Sequence, residues 1–204
     1  MKSIVSSCCA VLVLLASASL ADPANKEKAP ASGKVNVVLR TEKGEIELEL
    51  DEAHAPLSVR NFLGYVDAGL FKNGVFHRTV TTGNQPNNPV KIEVIQGGAD
   101  PSRKAELRAP IALERTSVTG LRHKDGTVSM ARDTPDSAVS DFFICIGDQP
   151  ELDFGGKRNP DGQGFGAFGR VVRGMDVVRA IQQAPARGQQ LTPPVKILEA
   201  TRKK

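Results

Sequence analysis

Apolar and polar residues alternate over residues 35–40 and again over residues 45–50, which predicts two strands that each bury one face. The tripeptide Glu42-Lys43-Gly44 lies between them, and such a tight turn predicts that the two strands form a hairpin. Shorter apolar runs farther along the chain predict more strands, separated by turns rich in glycine and proline. These strands are predicted at residues 74–80, 92–96, 126–132, 141–146, 168–172 and 195–198, and residues 111–114 are a candidate for a further short strand.

Two other stretches have the spacing of an amphipathic helix. The first begins at Pro56 and ends at Gly69, and its apolar residues recur at helical spacing. The second begins after Gly174 and is predicted to end near Pro185. Many short strands with glycine-rich turns are typical of a closed antiparallel barrel. We therefore predict a mainly β fold, a closed eight-stranded antiparallel β-barrel capped by two α-helices.

Residues 1–21 have the composition of a signal peptide. Lys2 provides a short positive start, residues 4–20 are mostly apolar, and a small-residue cleavage site follows. The stretch is short and serine-rich for a membrane span, and an uncleaved anchor is the alternative. Residues 22–34 are polar, contain proline and glycine, and are predicted to be a flexible linker. The folded domain is then predicted over residues 35–201, with no stable membrane span after cleavage.

Charge and cysteine content argue against several kinds of site. Cleavage after residue 21 would remove one lysine and no acid, so the formal net charge would fall from +4 to +3. Lysine and arginine form no cluster, so we expect no nucleic-acid partner. Cys145 would be the one cysteine left, and its apolar surroundings predict a small core residue. The histidines His54, His77 and His123 lack metal-ligand spacing, so we expect no metal.

Two polar residues stand out inside apolar strands. Arg78 lies in the run of residues 74–80, and Gln96 ends the run of residues 92–96. Burying either side chain without a partner costs on the order of several kcal/mol, which suggests that both face a groove. The alternative is that both point to solvent, as a strand with one wet face allows.

Several short motifs occur in order between residues 35 and 200. They are Ala55-Pro56, Asn61-Phe62, Phe76-His77-Arg78, Gln96-Gly97-Gly98, Gly120-Leu121-Arg122, Gly126-Thr127-Val128-Ser129-Met130-Ala131-Arg132, Ser140-Asp141-Phe142-Phe143-Ile144 and Phe168-Gly169-Arg170-Val171. In this order they resemble the cyclophilin-type peptidyl-prolyl isomerases of the exported bacterial kind. The resemblance implies an eight-stranded barrel with two helices, in agreement with the predicted elements. It also implies a periplasmic enzyme that needs no cofactor and acts on Xaa-Pro segments of unfolded or folding exported proteins.

The resemblance assigns roles to individual residues. Rotation about the peptide bond must break amide resonance, so the enzyme must bind the twisted amide more tightly than either planar isomer. By resemblance, Arg78 donates to the proline nitrogen in that twisted state, and Gln96 hydrogen-bonds the substrate backbone. The residues matched to the substrate-binding groove are Val94, Ala131, Arg132, Phe143, Leu152 and Phe165. His77 is expected to be structural, because successive side chains of a strand point to opposite faces.

Some positions depart from the family pattern near the proline pocket. Glu93 and Val94 stand where phenylalanine and methionine usually occur, and Glu151 stands where an aromatic residue often precedes the leucine matched by Leu152. The missing aromatic residue predicts weak cyclosporin binding or none. The loop of residues 81–89 is also longer than the usual short turn and is expected beside the site.

These departures support a second hypothesis, a catalytically weak cyclophilin-like module that binds Pro-containing segments. Asp141 adds to them, since glutamine is common at that position, and so does Phe165, where histidine or tyrosine is often found. A third hypothesis, a barrel that carries a small apolar ligand, is less favoured because eight-stranded barrels fill their interior with side chains. Nothing in the sequence resembles a Ser-His-Asp arrangement.

Overall fold

Eight antiparallel strands close into a barrel in the computed structural model, which describes residues 33–203. The strands are β1 (Lys34–Thr41), β2 (Gly44–Asp51), β3 (Val75–Val80), β4 (Val94–Gly98), β5 (Thr127–Met130), β6 (Phe142–Cys145), β7 (Gly166–Arg173), β8 (Ala186–Arg187) and β9 (Gln190–Arg202). Around the barrel they follow the order β1-β2-β7-β5-β6-β4-β3-β9, and β9 pairs back with β1, while β8 is a short addition to β9. The predicted fold class is confirmed. The predicted signal peptide, residues 1–21, and most of the predicted linker, residues 22–34, lie outside the described residues.

β1 and β2 form the predicted hairpin. Thr41 pairs with Gly44, so two residues make the turn, and Gly44 has a φ of +135°, a conformation that favours glycine. The alternating apolar residues of both strands are fully buried: Val37, Leu39, Ile46, Leu48 and Leu50. Because a slip of one residue would turn all of them toward solvent, the period-two pattern decides which face of this hairpin points inward.

The helices of residues 33–203 are α1 (Pro56–Asp67), α2 (Thr116–Thr119) and α3 (Met175–Gln182), with 3-10 turns at Thr82–Asn84, Pro101–Glu106 and Pro150–Leu152. α1 begins where predicted and inserts Phe62 among the core rings, 4.9 Å from Phe71 and 5.3 Å from Phe142 between centroids. α3 buries Val178 and Ile181 in the same core. α2 is a single turn that the sequence pattern did not predict. None of these helices is long and apolar enough to cross a membrane.

Two predicted strands differ from the structure. Residues 111–114 contribute an isolated bridge between Ile111 and Ala138 rather than a strand. The last strand is much longer than predicted, because β9 pairs with β1, β3 and β8 in turn. The prediction was too short because Pro193 and Pro194 lie inside the strand, and proline normally argues against a strand. Both lie where the register between β3 and β9 shifts, a position at which a strand tolerates proline.

Apolar side chains form two separate clusters. The barrel core is the larger one, and the smaller one, here named the outer cluster, consists of Val80, Ile92, Val94, Phe143, Cys145 and Leu152. Phe142 and Phe143 are neighbours on β6, but Phe142 belongs to the barrel core and Phe143 to the outer cluster, as the alternation along a strand requires. Cys145 is a small buried residue, as predicted, and burial raises the pKa of its thiol well above the ordinary value.

Candidate active site

A groove of about 460 Å³ lies over the outer cluster. The residues that the sequence assigned to the site all line this groove, although they come from β3, β4, β6 and the two connections that follow β5 and β6. They are Arg78, Val94, Gln96, Ala131, Arg132, Phe143, Leu152 and Phe165. The fold therefore brings the predicted site residues together, and their chemical roles stay predictions.

Arg78 is held in the groove by two glutamine side chains. Its Nη1 donates to Gln96 Oε1 at 3.0 Å, while its Nε and Nη2 donate to Gln189 Oε1 at 2.9 and 2.6 Å. A guanidinium has five N–H donors, so these three bonds leave two for another molecule. Burial lowers the pKa of Arg78, but an arginine stays charged at neutral pH. The side chain is therefore a fixed cation beside an apolar pocket.

Gln96 is oriented by the carboxylate of Asp141, just before β6. Asp141 Oδ2 accepts from Gln96 Nε2 at 3.3 Å, which turns Gln96 Oε1 toward Arg78. Asp141 lies so close to β4 that a Cβ on Gly98 would overlap its Oδ1 atom. Glycine at this position is thus a steric requirement for the contact, which gives the Gln-Gly-Gly motif a physical reason.

His77 does not follow the alternation that the sequence suggested. The pairing of β3 shifts register between Phe76 and Arg78, against both β4 and β9. Such a bulge re-aims the side chains around it. His77 Nε2 lies 3.5 Å from Asp141 Oδ2, the same oxygen that accepts from Gln96. Strict alternation therefore does not hold at His77, because a bulged strand loses its period of two, but His77 is not among the residues that line the groove.

Ile92 lies in the apolar wall of the groove, at the place where the family resemblance puts Glu93. Ile92 and Val94 are buried and line the groove, whereas Glu93 between them is half-buried and is not among the lining residues. The expectation that Glu93 faces the proline pocket is therefore wrong, and the apolar-polar alternation at these positions was the signal that could have corrected it. Glu151 is not among the lining residues either, and its Oε2 accepts from the backbone N–H of Lys157 at 2.8 Å.

Two aromatic rings and a buried arginine complete the wall. Phe143 and Phe165 meet edge to face, with ring centroids 5.2 Å apart. The guanidinium carbon of Arg132 lies 5.1 Å from the centroid of Phe165. The Arg132 side chain is 1% exposed, and it donates to Asp161 at 2.7 and 3.0 Å and to the backbone oxygen of Gly164 at 2.8 and 2.6 Å. Arg132 thus supports the Phe165 wall and offers no exposed donor to a substrate.

A buried chain of hydrogen bonds lies behind Phe143. His123 stacks on Phe143 with centroids 5.9 Å apart; its Nδ1 lies 2.7 Å from Asp153 Oδ1, and its Nε2 lies 3.0 Å from Ser129 Oγ. Burial acts to raise the pKa of Asp153, but the hydrogen bonds and charge of His123 outweigh it, so this pKa is lowered. The order of residues in the sequence shows no Ser-His-Asp arrangement and cannot exclude one, and folding brings Ser129, His123 and Asp153 together. Ser129 is 0% exposed, so the chain supports Phe143 rather than attacking a substrate.

The long loop of residues 81–89 lies beside the groove and braces Gln189. Asn84 Nδ2 donates to the backbone oxygen of Gly188 at 3.1 Å, and the backbone oxygen of Asn84 accepts from Gln189 Nε2 at 3.2 Å. Because Gln189 Nε2 is engaged in this way, its Oε1 turns toward Arg78. None of residues 81–89 lines the groove, so this loop is a support rather than a cover.

Several residues at the groove were missed by sequence reasoning. Gln189 gave no signal, since it lies in a polar run 111 residues after Arg78. Most of the others lie in connections, where no periodic pattern identifies an inward face. They are Ile92, Leu107, Asp133, Ser137, Val139, Ser140, Asp141, Arg158 and Asn159. Within residues 33–203, His, Cys, Asp and Glu side chains do not gather into a group of three that could hold a metal ion.

Comparison with known proteins agrees with this geometry. The family model described as "Cyclophilin type peptidyl-prolyl cis-trans isomerase/CLD" matches residues 36–202. Peptidyl-prolyl cis-trans isomerase A of Dickeya dadantii is 36% identical over 154 residues, which cover 75% of this chain and 74% of that protein. Peptidyl-prolyl cis-trans isomerase cyp18 of Streptomyces antibioticus is 40% identical over 164 residues, which cover 77% of this chain and 90% of that protein.

Solved structures share the fold. A crystal structure of a cyclophilin type peptidyl-prolyl cis-trans isomerase from Cryptosporidium parvum has a TM-score of 0.68 at 20% identity, and the match covers 84% of this chain and 98% of that one. The same protein in the presence of the dipeptide Ala-Pro has a TM-score of 0.67, with 83% and 99% covered. At this identity the likeness supports the fold alone. The family match and the identity to the bacterial relatives show that the chain belongs to the cyclophilin-type peptidyl-prolyl cis-trans isomerases.

Proposed function

We propose that this chain isomerises Xaa-Pro peptide bonds in the groove around Arg78. The observation that carries the proposal is the placement of Arg78, a fixed cation with two unused N–H donors beside an apolar pocket. The pocket suits a proline ring, and the guanidinium suits the nitrogen of the same proline. Both contacts involve one residue of the substrate, so a bound proline presents its own peptide bond to Arg78.

Catalysis requires that the twisted amide is bound better than the planar one. The barrier to rotation is about 18–20 kcal/mol, and uncatalysed exchange takes tens to hundreds of seconds. When resonance is lost, the proline nitrogen regains a lone pair that can accept a hydrogen bond. Arg78 donates to that lone pair in the twisted state only, so it lowers the barrier without stabilising either ground state. No covalent bond is made or broken.

Gln96 holds the substrate backbone in this mechanism. One hydrogen of its Nε2 is directed to Asp141, and an amide nitrogen has two. The second hydrogen donates to a carbonyl oxygen of the bound segment. Since Gln96 also accepts from Arg78, it couples the position of the substrate to the position of the guanidinium.

Cis–trans exchange of Xaa-Pro tetrapeptides, followed by NMR exchange spectroscopy, tests the proposal. The purified protein should accelerate exchange, and the Arg78→Ala variant should lose most of that acceleration. A wild-type protein that leaves the exchange rate unchanged, or a variant as fast as the wild type, would refute it.

Gln189→Leu is expected to lower kcat by about tenfold with little change in KM, because Arg78 loses two of its three hydrogen bonds and is no longer fixed. The matched control is Gln190→Leu, an exposed neighbour on β9 that should behave like the wild type. Steady-state isomerisation rates at several peptide concentrations separate kcat from KM. An unchanged kcat in a folded Gln189→Leu protein would show that Arg78 does not depend on this support.

The alternative function, a binding module with negligible turnover, rests on Glu93, Glu151 and the long loop. None of these features lines the groove, so no observation favours it over isomerisation. Peptide binding with an unchanged exchange rate would select it. Cyclosporin is expected to bind weakly or not at all, because Glu151 precedes Leu152 where the family often has an aromatic residue.

The protein is further proposed to act on exported proteins in the periplasm. The support is the signal-like composition of residues 1–21, followed by the polar residues 22–34. Mass spectrometry of the protein recovered from a periplasmic fraction should find a chain that begins at Asp22. An intact chain that stays in the cytoplasmic fraction would contradict export.

A further inference from the structure

Besides Arg78 and the buried Arg132, the guanidinium of Arg158 lies on the wall of the groove. Its Nη1 donates to Gln85 Oε1 at 2.8 Å and to the backbone oxygen of Val90 at 2.7 Å. These two bonds use both hydrogens of Nη1, so the hydrogens of Nε and Nη2 are left for another molecule. The Nε and Nη2 edge of a guanidinium matches the two oxygens of a carboxylate.

Arg158 is anchored on a rigid support. Gln85 is buried, and its Nε2 donates to the backbone oxygens of Thr81 and Ile92 at 2.7 and 2.8 Å. The long loop therefore positions Arg158 through Gln85, just as it positions Arg78 through Gln189. A side chain that is fixed before binding loses little conformational entropy when a ligand arrives.

The charge of Arg158 is not neutralised by the described part of the chain. Between residues 33 and 203 neither Arg158 nor Arg78 forms an ion pair with a carboxylate, whereas Arg132 is paired with Asp161 at 2.7 Å. Burial and the charge of Arg78 both lower the pKa of Arg158, so the two like charges that line the groove repel each other. A fixed, half-buried cation beside a like charge is unfavourable, and an anion bound in the groove would relieve it.

We propose that Arg158 makes the groove select Pro-containing segments that carry a carboxylate on a residue next to the proline. The inference rests on the isomerase function proposed above and adds a substrate class to it, Asp or Glu directly before or after the proline. The carboxylate binds the Nε and Nη2 edge of Arg158 while the proline ring occupies the apolar pocket. Arg78 then acts on the peptide bond of the same segment.

Four peptides test this selectivity, with Glu or Gln directly before the proline and with Glu or Gln directly after it. At low ionic strength we expect kcat/KM for Glu to exceed that for Gln by about three- to tenfold at one of the two positions, which is the strength of a partly buried ion pair. The ratio should decrease as salt is raised, because salt screens the charges. A ratio near one at both positions would overturn the proposal.

Variants assign the preference to Arg158. Arg158→Gln should bring the Glu-to-Gln ratio close to one, and Arg158→Lys, which keeps the charge without the planar fork, should retain part of it. Arg60→Gln on α1 makes the same change in net charge at an exposed site and should leave the wild-type ratio intact. Thermal unfolding checks that each variant is folded. A ratio that persists in Arg158→Gln, or that falls equally in Arg60→Gln, would assign the preference to another group and reject the proposal.

Peptide binding distinguishes this inference from the proposed function. NMR titration measures the dissociation constants of the same four peptides without requiring turnover. Tighter binding of a Glu peptide in the absence of isomerisation would refute the function and retain the Arg158 selectivity. Isomerisation with equal affinities and equal rates for Glu and Gln peptides would retain the function and refute the selectivity.

Discussion

Arg78→Ala is expected to lower kcat/KM for Xaa-Pro isomerisation by about 100- to 1,000-fold, the loss typical of removing a donor that acts on the transition state. The expectation follows from the geometry, since Gln96 and Gln189 fix the guanidinium, use three of its five N–H groups and leave two for the substrate. The loss should appear mainly in kcat, because Arg78 stabilises the twisted amide rather than the planar substrate. The outer cluster is unaffected by this substitution, so the peptide should still bind.

Arg78→Lys separates charge from geometry. Lysine keeps the positive charge, but a compact ammonium cannot reproduce a planar fork that bonds Gln96 and Gln189 while donating to substrate. We expect this variant to stay at least about tenfold below the wild type. Exchange spectroscopy at saturating peptide measures kcat, and urea unfolding shows whether both variants are folded. Recovery of the full rate in Arg78→Lys would mean that charge alone suffices. A rate in Arg78→Ala above about a tenth of the wild type would deny Arg78 the main role.

Phe142→Ala is expected to reduce the free energy of unfolding by about 3–5 kcal/mol, the usual range for a truncated core phenylalanine. Phe142 is fully buried, and its ring lies 5.3 Å from that of Phe62, 5.6 Å from that of Phe71 and 5.7 Å from that of Phe76 between centroids. Because core side chains surround the ring, its removal leaves a cavity that they fill only in part. Because Phe142 does not line the groove, the fraction that stays folded should keep most of its activity.

Phe143→Ala should show the opposite balance, although the two residues are neighbours. Phe143 faces the groove, so its truncation opens a space that water can enter, and the loss of stability should be at the low end of that range or below, about 3 kcal/mol at most. The proline ring loses a wall of its pocket, and at about 0.8 kcal/mol per buried methylene this should raise KM by about tenfold. Phe143→Leu, which keeps an apolar side chain, should recover part of the affinity.

Urea unfolding and steady-state kinetics on the two alanine variants provide the comparison. Equal effects of both substitutions on stability and on KM would mean that the barrel core and the outer cluster are not separate units. A larger KM effect in Phe142→Ala would reverse the assignment of the two faces of β6 and remove the basis for the proline pocket.

The sequence alone was sufficient for the elements that depend on local periodicity. The hairpin of β1 and β2 and the helix beginning at Pro56 were predicted correctly, because each buries a regular stripe of side chains. Prediction failed where regularity breaks. The bulge at His77 changed the phase of β3, and the prolines in β9 sit at a register shift, so neither followed the pattern of an ideal strand.

Some of the groove residues could also be predicted from the pattern of apolar and polar residues. Arg78 and Gln96 stand out in the sequence because a polar side chain inside an apolar strand needs a partner, and in the structure each is the hydrogen-bond partner of the other. Glu93 affects the pocket less than its alignment with the family suggests, because Ile92, and not Glu93, lines the groove. A resemblance to a family matches residues by their order in the chain. Which of them line the groove depends on the direction of each side chain, and order alone does not give that direction.

The sequence by itself thus determined the barrel, its two main helices and the importance of Arg78 and Gln96. The reason is that regularly spaced apolar residues show which positions are buried and which polar residues interrupt them. Only the tertiary structure decided what holds and surrounds that pair. Gln189 contacts Arg78 at a separation of 111 residues, and Arg158 contacts Gln85 at a separation of 73 residues. The loops that contain these residues are polar and show no periodic pattern. Hydrogen bonds between such distant loops depend on strand register and loop path, which no local pattern encodes. The long loop that departs from the family pattern is therefore the support on which Arg78 and Arg158 rest.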